Sequence, residues 1–113
     1  MAVSMLSPPN QPSRFSGENL ATSSSSWSLK ESVRYDAQRV QTRSWADYPI
    51  LTFPEVPAVE VVLLNRPEEK SLGAGEGSQG PTVAAIANAI AHATGKRMRD
   101  LPFTRERVKA VLA

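Results

Sequence analysis

The chain has 113 residues, 13 Lys plus Arg against 11 Asp plus Glu, a single histidine and no cysteine. This length allows one small domain at most, and a net charge of +2 is too small to announce a nucleic-acid surface. Without cysteine the chain carries no disulfide, zinc–thiolate site, iron–sulfur cluster or thiol nucleophile of its own, and His92 alone rules out a histidine-rich metal site.

From Met1 to Ser26 the sequence is mostly Ser, Pro, Asn and Gln with scattered apolar residues. It shows no period of 2 or 3.6, and such a composition does not offset its ordering entropy by burial. Residues 1–26 are therefore expected to be disordered. Met1 to Ser7 is too short and uncharged for a secretory signal. No apolar run reaches the ~20 residues of a membrane span, and a cytoplasmic location is the expectation.

Order is expected from Trp27, which opens with a turn or two of helix capped by Ser25 or Ser26. Val33 to Tyr35 reads as a strand that turns at Asp36 and returns through Arg39 to Arg43 as a hairpin. Tyr48-Pro49, Phe53-Pro54 and Val56-Pro57 keep the next stretch extended and outside a central strand. Ala58 to Leu64 is the clearest strand. Its end, Val61-Val-Leu-Leu, is apolar on both faces, which predicts burial between two layers. Trp27, Trp45, Tyr35 and Tyr48 read as packing residues.

A polar loop, Asn65 to Lys70, leads to Leu72-Gly-Ala-Gly-Glu-Gly-Ser-Gln-Gly-Pro81. Gly73, Gly75, Gly77 and Gly80 allow a close backbone approach to a ligand. Glu76 stands among them with glycine on either side. The loop opens a helix whose first amides carry the positive end of its dipole. Gly75 to Gly80 matches G-x-G-x-x-G literally, but the strand ends well before Gly75 and Pro81 follows the third glycine, so the dinucleotide fingerprint does not fit. A phosphate-binding Walker loop fails as well, since no Gly-Lys-Ser/Thr follows. A flexible linker and an anion-binding loop presenting one carboxylate both remain open.

Pro81 suits the first position of the following helix. Val83, Ile86, Ala87, Ile90 and Ala91 recur at helical spacing, and Gly95 is the expected residue after its end. His92 faces solvent or a partner. Leu101-Pro-Phe is an extended link, and Thr104 caps a final helix from Arg105 to Leu112. Lys96, Arg97, Arg99, Arg105, Arg107 and Lys109 concentrate the basic charge there, as a solvated helical surface or a contact with another chain. One strong strand with two apolar faces needs neighbours that this inventory does not supply, and open edges of that kind invite pairing with another chain.

The stretch from Leu72 to Ile90, followed by Ala93-Thr-Gly-Lys-Arg-Met-Arg-Asp-Leu-Pro-Phe-Thr104, resembles the C-terminal end of the molybdenum-binding subunit of molybdenum hydroxylases. That is the xanthine dehydrogenase and aldehyde oxidase superfamily, with its isoquinoline oxidoreductase and nicotinate dehydrogenase branches the most similar. Upstream, Trp27-Ser-Leu-Lys-Glu, Arg34-Tyr-Asp, Arg43-Ser-Trp-Ala-Asp-Tyr-Pro-Ile-Leu and Glu55-Val-Pro-Ala-Val-Glu-Val follow the order of that subunit. The resemblance covers Trp27 to Val111.

This resemblance implies an α+β fold. Residues 27–113 would be the C-terminal part of the second molybdopterin-binding domain, with a few strands, a glycine-rich loop and two C-terminal helices. It implies Glu76 as the catalytic base, matching the family's Gly-x-Gly-Glu glutamate beside the molybdenum. Gly73, Ala74, Gly75, Gly77 and Gln79 would lie at the molybdenum cofactor (molybdopterin), contacting it through backbone amides; Gln79 would orient the loop or the cofactor, or, as the alternative, make a hydrogen bond at the helix entry. The implied chemistry is hydroxylation of an N-heterocycle or aldehyde with water-derived oxygen. The implied partners are the remainder of the molybdenum subunit, an iron–sulfur subunit carrying the clusters and a small-molecule substrate. The family's other pterin-binding segments lie upstream in a longer chain and have no counterpart here. A remnant of a truncated or frame-disrupted gene, or a mispredicted start, inactive when isolated, is the expectation. A small non-catalytic interaction module with an anion-binding glycine loop is the alternative.

Overall fold

The computed structural model describes residues 2–7, 13–70 and 76–113. Strand β1 (Ala2–Ser7) pairs in parallel with β2 (Glu60–Asn65), with Ala2 opposite Glu60 and Ser7 opposite Asn65. Between them lie helix α1 (Ser13–Leu29) and two short 3-10 turns, Trp45–Asp47 and Phe53–Glu55. Helices α2 (Gln79–Thr94) and α3 (Arg105–Leu112) complete the chain.

Of the residues 1–26 expected to be disordered, 2–7 lie in β1 and 13–26 in α1, and neither Ser25 nor Ser26 is at a helix start; the others of that stretch lie outside the described residues. Trp27 sits near the end of a 17-residue helix rather than at the start of a short one. Hydroxyls make this possible. Ala21, Ser24, Ser25 and Ser28 recur at i, i+3, i+4 and i+7, and all four are buried. Ser25 Oγ donates to the Ala21 carbonyl at 2.8 Å and Ser28 Oγ to the Ser24 carbonyl at 2.6 Å. Each of these two serines meets its polar need within its own helix, so the small face can be buried against α2, on which α1 packs.

Three further expectations need revision. The hairpin reduces to one antiparallel bridge between Tyr35 and Val40. Its turn is held by Asp36, whose carboxylate accepts from the Gln38 and Arg39 amides at 2.8 and 2.9 Å and from the Gln41 side chain. Strand β2 starts two residues later than expected, and the face that carries Val62 and Leu64 is not covered, at 46% and 49% exposed, whereas Val61 on the opposite face is half-buried. A two-stranded sheet has too few neighbours to bury both faces. Trp27, Tyr35 and Trp45, read as packing residues, are exposed, whereas Tyr48 is half-buried and its hydroxyl donates to Glu31 at 2.7 Å.

Signals local to a few residues hold. Gly95 ends α2 at φ 70°, a left-handed conformation that glycine adopts without strain, and its N–H bonds the Ala91 carbonyl at 2.8 Å. The Thr104 hydroxyl accepts from the Arg107 amide at 3.3 Å at the start of α3. His92 and all six basic residues from Lys96 to Lys109 are exposed. Among the described residues Ala21, Met98, Pro102 and Phe103 are the buried apolar ones. The Phe103 amide donates to the Ser28 carbonyl at 2.7 Å, so the link between α2 and α3 closes on the end of α1.

The long connection after α1 is tied back to that helix by polar contacts. Lys30 Nζ lies 2.6 Å from Glu55 Oε2, and the Leu51 amide donates to Ser26 Oγ at 3.0 Å. The Thr52 amide and hydroxyl also donate to Glu55, at 2.9 and 2.7 Å. The Lys30 hydrogen bond first, then the two Thr52 donors, hold the Glu55 carboxyl at about 2, below its ordinary 4.5. A folded value below the unfolded one means that the added stability is fully present above pH 4.5 and is lost as the pH falls toward 2. An NMR titration of the Glu55 carboxyl should show a midpoint near 2; a midpoint at 4.5 would show the Lys30–Glu55–Thr52 contacts absent in solution.

Candidate active site around Glu76

The glycine loop lies partly outside the described residues: Gly73, Ala74 and Gly75 are among those not described. Glu76, Gly77, Ser78 and Gln79 are described, and they form a turn that runs into α2. The Gln79 amide donates to the Glu76 carbonyl at 3.2 Å, and the Thr82 amide to the Ser78 carbonyl at 2.9 Å. One of the helix-opening donors needed for anion binding is thereby occupied within the loop. Helix α2 begins at Gln79, so Pro81 is its third residue rather than its first. Proline is tolerated there because an N–H in the first turn has no intrahelical acceptor.

Glu76 is exposed. The ion pairs among the described residues, Lys30–Glu55 and Arg66–Glu68, do not engage it. Its carboxylate is thus presented on a turn whose backbone is tied at one end to the helix. Gly77 is exposed, and a Cβ built on Gly77 or Gly80 would meet nothing within 4 Å among the described residues. Space is therefore open above the backbone next to the acid. Gln79 is half-buried at the first helical position, and no described partner engages its side chain.

Beneath the turn lies a polar contact that sequence reasoning missed. Ser78 is 7% exposed and its hydroxyl lies 3.3 Å from that of Ser24 on α1. Thr82, one turn further along α2, is 2% exposed, and its Oγ1 has no hydrogen-bond partner among the described residues. The signal was present in the spacing of Ala21, Ser24, Ser25 and Ser28, a helical stripe visible only when serine is counted as a residue that can be buried. Small side chains on both helices let α1 approach the start of α2 and root the turn that carries Glu76.

The unpaired Thr82 hydroxyl supports a specific expectation. A buried hydroxyl without a partner costs roughly 1–3 kcal/mol, so Thr82→Val should raise the urea midpoint of unfolding. A lowered midpoint would show that the hydroxyl is satisfied in solution, by a bound water or another group.

Among the described residues no three His, Cys, Asp or Glu side chains gather to hold a metal ion. No helix of the described residues is long and apolar enough to cross a membrane.

No protein-family model matches the chain. It is 52% identical over 84 residues to a nicotinate dehydrogenase subunit of Pseudomonas putida, a stretch that covers 74% of this chain and 7% of that relative. It is 37% identical over 90 residues to the xanthine dehydrogenase molybdenum-binding subunit of Escherichia coli O157:H7, covering 73% of this chain and 12% of that relative. The chain thus spans about a tenth of the length of these relatives. A match of 84 residues leaves at most 29 of the 113 on either side, so it includes Lys30 to Ala84 wherever it begins. Glu76 lies inside it.

Proposed function

This chain belongs to the family of molybdenum-binding subunits of the xanthine and nicotinate dehydrogenase type, and from that premise we propose that it supplies the catalytic base of a molybdenum hydroxylase. The reaction is hydroxylation of an N-heterocycle or aldehyde with oxygen derived from water. Glu76 is the base. The observation that carries this reading is an exposed carboxylate, unpaired among the described ionic groups, on a turn anchored to a helix start.

The residues present fit a large group lying against the loop. Space is open over Gly77 and Gly80, so a cofactor can approach the backbone on that side. Gly73, Ala74, Gly75 and Gly77 would meet it through main-chain groups, and Gln79 would orient it or the loop. When bound, the molybdenum cofactor supplies the redox chemistry, taking up the two electrons removed from the substrate. The chain's own part is narrower: Glu76 accepts a proton, the Gln79-to-Glu76 hydrogen bond limits the motion of its backbone, and Ser24–Ser78 roots the turn in the α1–α2 contact. A base held in this way acts with little reorganisation.

In this reading residues 27–113 are the C-terminal part of an α+β molybdopterin-binding domain. The pocket is completed by the remainder of the molybdenum-binding polypeptide, and electrons leave through an iron–sulfur subunit. Isolated, the chain has no turnover. The test is a chimera of the full-length Pseudomonas putida nicotinate dehydrogenase relative in which residues 30–84 of this chain replace their counterparts. It should retain molybdenum and turn over nicotinate. A chimera that is folded and molybdenum-loaded yet inert, with this chain's Glu76 in place, would sink the reading.

A further inference from the structure

The segment from Val33 to Pro57 is the part of the molecule that the proposed chemistry leaves unused. None of its residues is buried. Tyr35 is 77% exposed, Trp45 85% and Phe53 97%, with Val33, Val40 and Ile50 at half. The backbone that carries them is nonetheless tied down. Lys30 reaches both Glu55 and the Ile50 carbonyl, Tyr48 bonds Glu31, the Leu51 amide bonds Ser26, and Asp36 closes its turn. Trp45 and Phe53 each open a 3-10 turn. Polar contacts thus hold the segment against the end of α1 while its aromatic rings stay uncovered.

Exposed rings on an ordered backbone are the pattern of an interface without its partner. Each such side chain brings roughly 150–250 Å² for burial, and a few buried aromatic anchors inside a polar rim dominate protein–protein contacts. Arg34, Asp36, Arg39 and Arg43 are exposed polar residues of the same segment. The rest of the chain does not cover the rings. Its radius of gyration is 16.8 Å, against about 13 Å for a compact domain of this length.

We propose that Val33 to Pro57 is a docking surface, anchored by Tyr35, Trp45 and Phe53, for the remainder of a molybdenum-binding subunit. The occupant follows from the comparison: the match to the nicotinate dehydrogenase relative must include this segment, yet covers only 7% of that polypeptide. More than nine-tenths of the relative is therefore available to cover the same surface. The partner chemistry is an apolar protein face with recesses for aromatic rings. This inference rests on the family reading above.

The chain has no cysteine, so Phe53→Cys places its sole thiol on this surface. In the free full-length chain that thiol should react with N-ethylmaleimide at the rate of an unprotected cysteine. In the nicotinate dehydrogenase chimera carrying residues 30–84, mass spectrometry of the peptide around position 53 should show the reaction slowed at least about 30-fold, as expected for a buried anchor. Equal rates in the two proteins overturn the proposal. So does protection already present in a self-associated free chain, which would make a second copy the occupant. So does a chimera that is insoluble with Phe53 intact, since the segment would then not fit the surface. A protected thiol in a loaded chimera without turnover would sink the catalytic role of Glu76 and leave the docking surface standing. Turnover with a reactive thiol would do the reverse.

Discussion

Glu76→Gln, introduced into a full-length molybdenum-binding subunit that carries this sequence, should lower kcat by about 10²–10⁴-fold, the contribution of a positioned general base. The amide keeps the size of the side chain and removes its ability to accept a proton. Because the Gln79 amide binds the Glu76 main-chain carbonyl and Ser78 contacts Ser24, the turn itself does not depend on the carboxylate. Molybdenum content should therefore stay at the parent level, and KM should move less than kcat. If kcat stayed within a few-fold of the parent, Glu76 would not be the base. If turnover and molybdenum fell in proportion, its role would be in holding the cofactor.

Phe103→Ala should abolish cooperative unfolding of the isolated chain. Phe103 is 5% exposed and one of four buried apolar residues among those described. Truncating a buried phenylalanine costs roughly 3–5 kcal/mol. Small domains hold only about 5–15 kcal/mol in total, and a chain with so little buried apolar surface stands at the low end. Its N–H also bonds the Ser28 carbonyl, so the ring sits where the α2–α3 link closes on α1. Phe53→Ala is the matched control. With Phe53 97% exposed, that change should alter stability by no more than about 0.5 kcal/mol. Urea titrations followed by far-UV circular dichroism read both. Equal effects from the two substitutions would mean that Phe103 is not buried in solution.

These two phenylalanines show where residue type stops being informative. Both stand next to a proline, Phe103 after Pro102 and Phe53 before Pro54, and neither neighbourhood shows which ring is covered. Burial depends on segments distant in the chain. Phe103 meets the end of α1 across 75 positions of sequence, whereas Phe53 meets nothing that covers it. The same holds for β2, whose apolar run is legible as a strand but not as one with a half-exposed face. An apolar pattern states what a strand needs and says nothing of whether the chain supplies it.

The serine run is the converse case. Ser23 to Ser26 reads as disordered by composition, because hydroxyls are ordinarily solvated and poor helix formers. The back-bonds from Ser25 and Ser28 to carbonyls four residues earlier remove that objection only inside a formed helix. A formed helix in turn draws on its packing against α2.

What the sequence determined by itself was local or chemical. Gly95 ends a helix because it tolerates a positive φ, Thr104 starts one because its hydroxyl accepts an amide, and Glu76 is the lone acid of a glycine loop. The family membership was legible too, because it is carried by ordered motifs rather than by burial. Tertiary structure alone decided that α1 exists, that Ser24, Ser78 and Thr82 lie beneath the Glu76 turn, and that Trp45 and Phe53 face outward. Each of those depends on contacts between segments far apart in the chain, whose free energy no single segment carries.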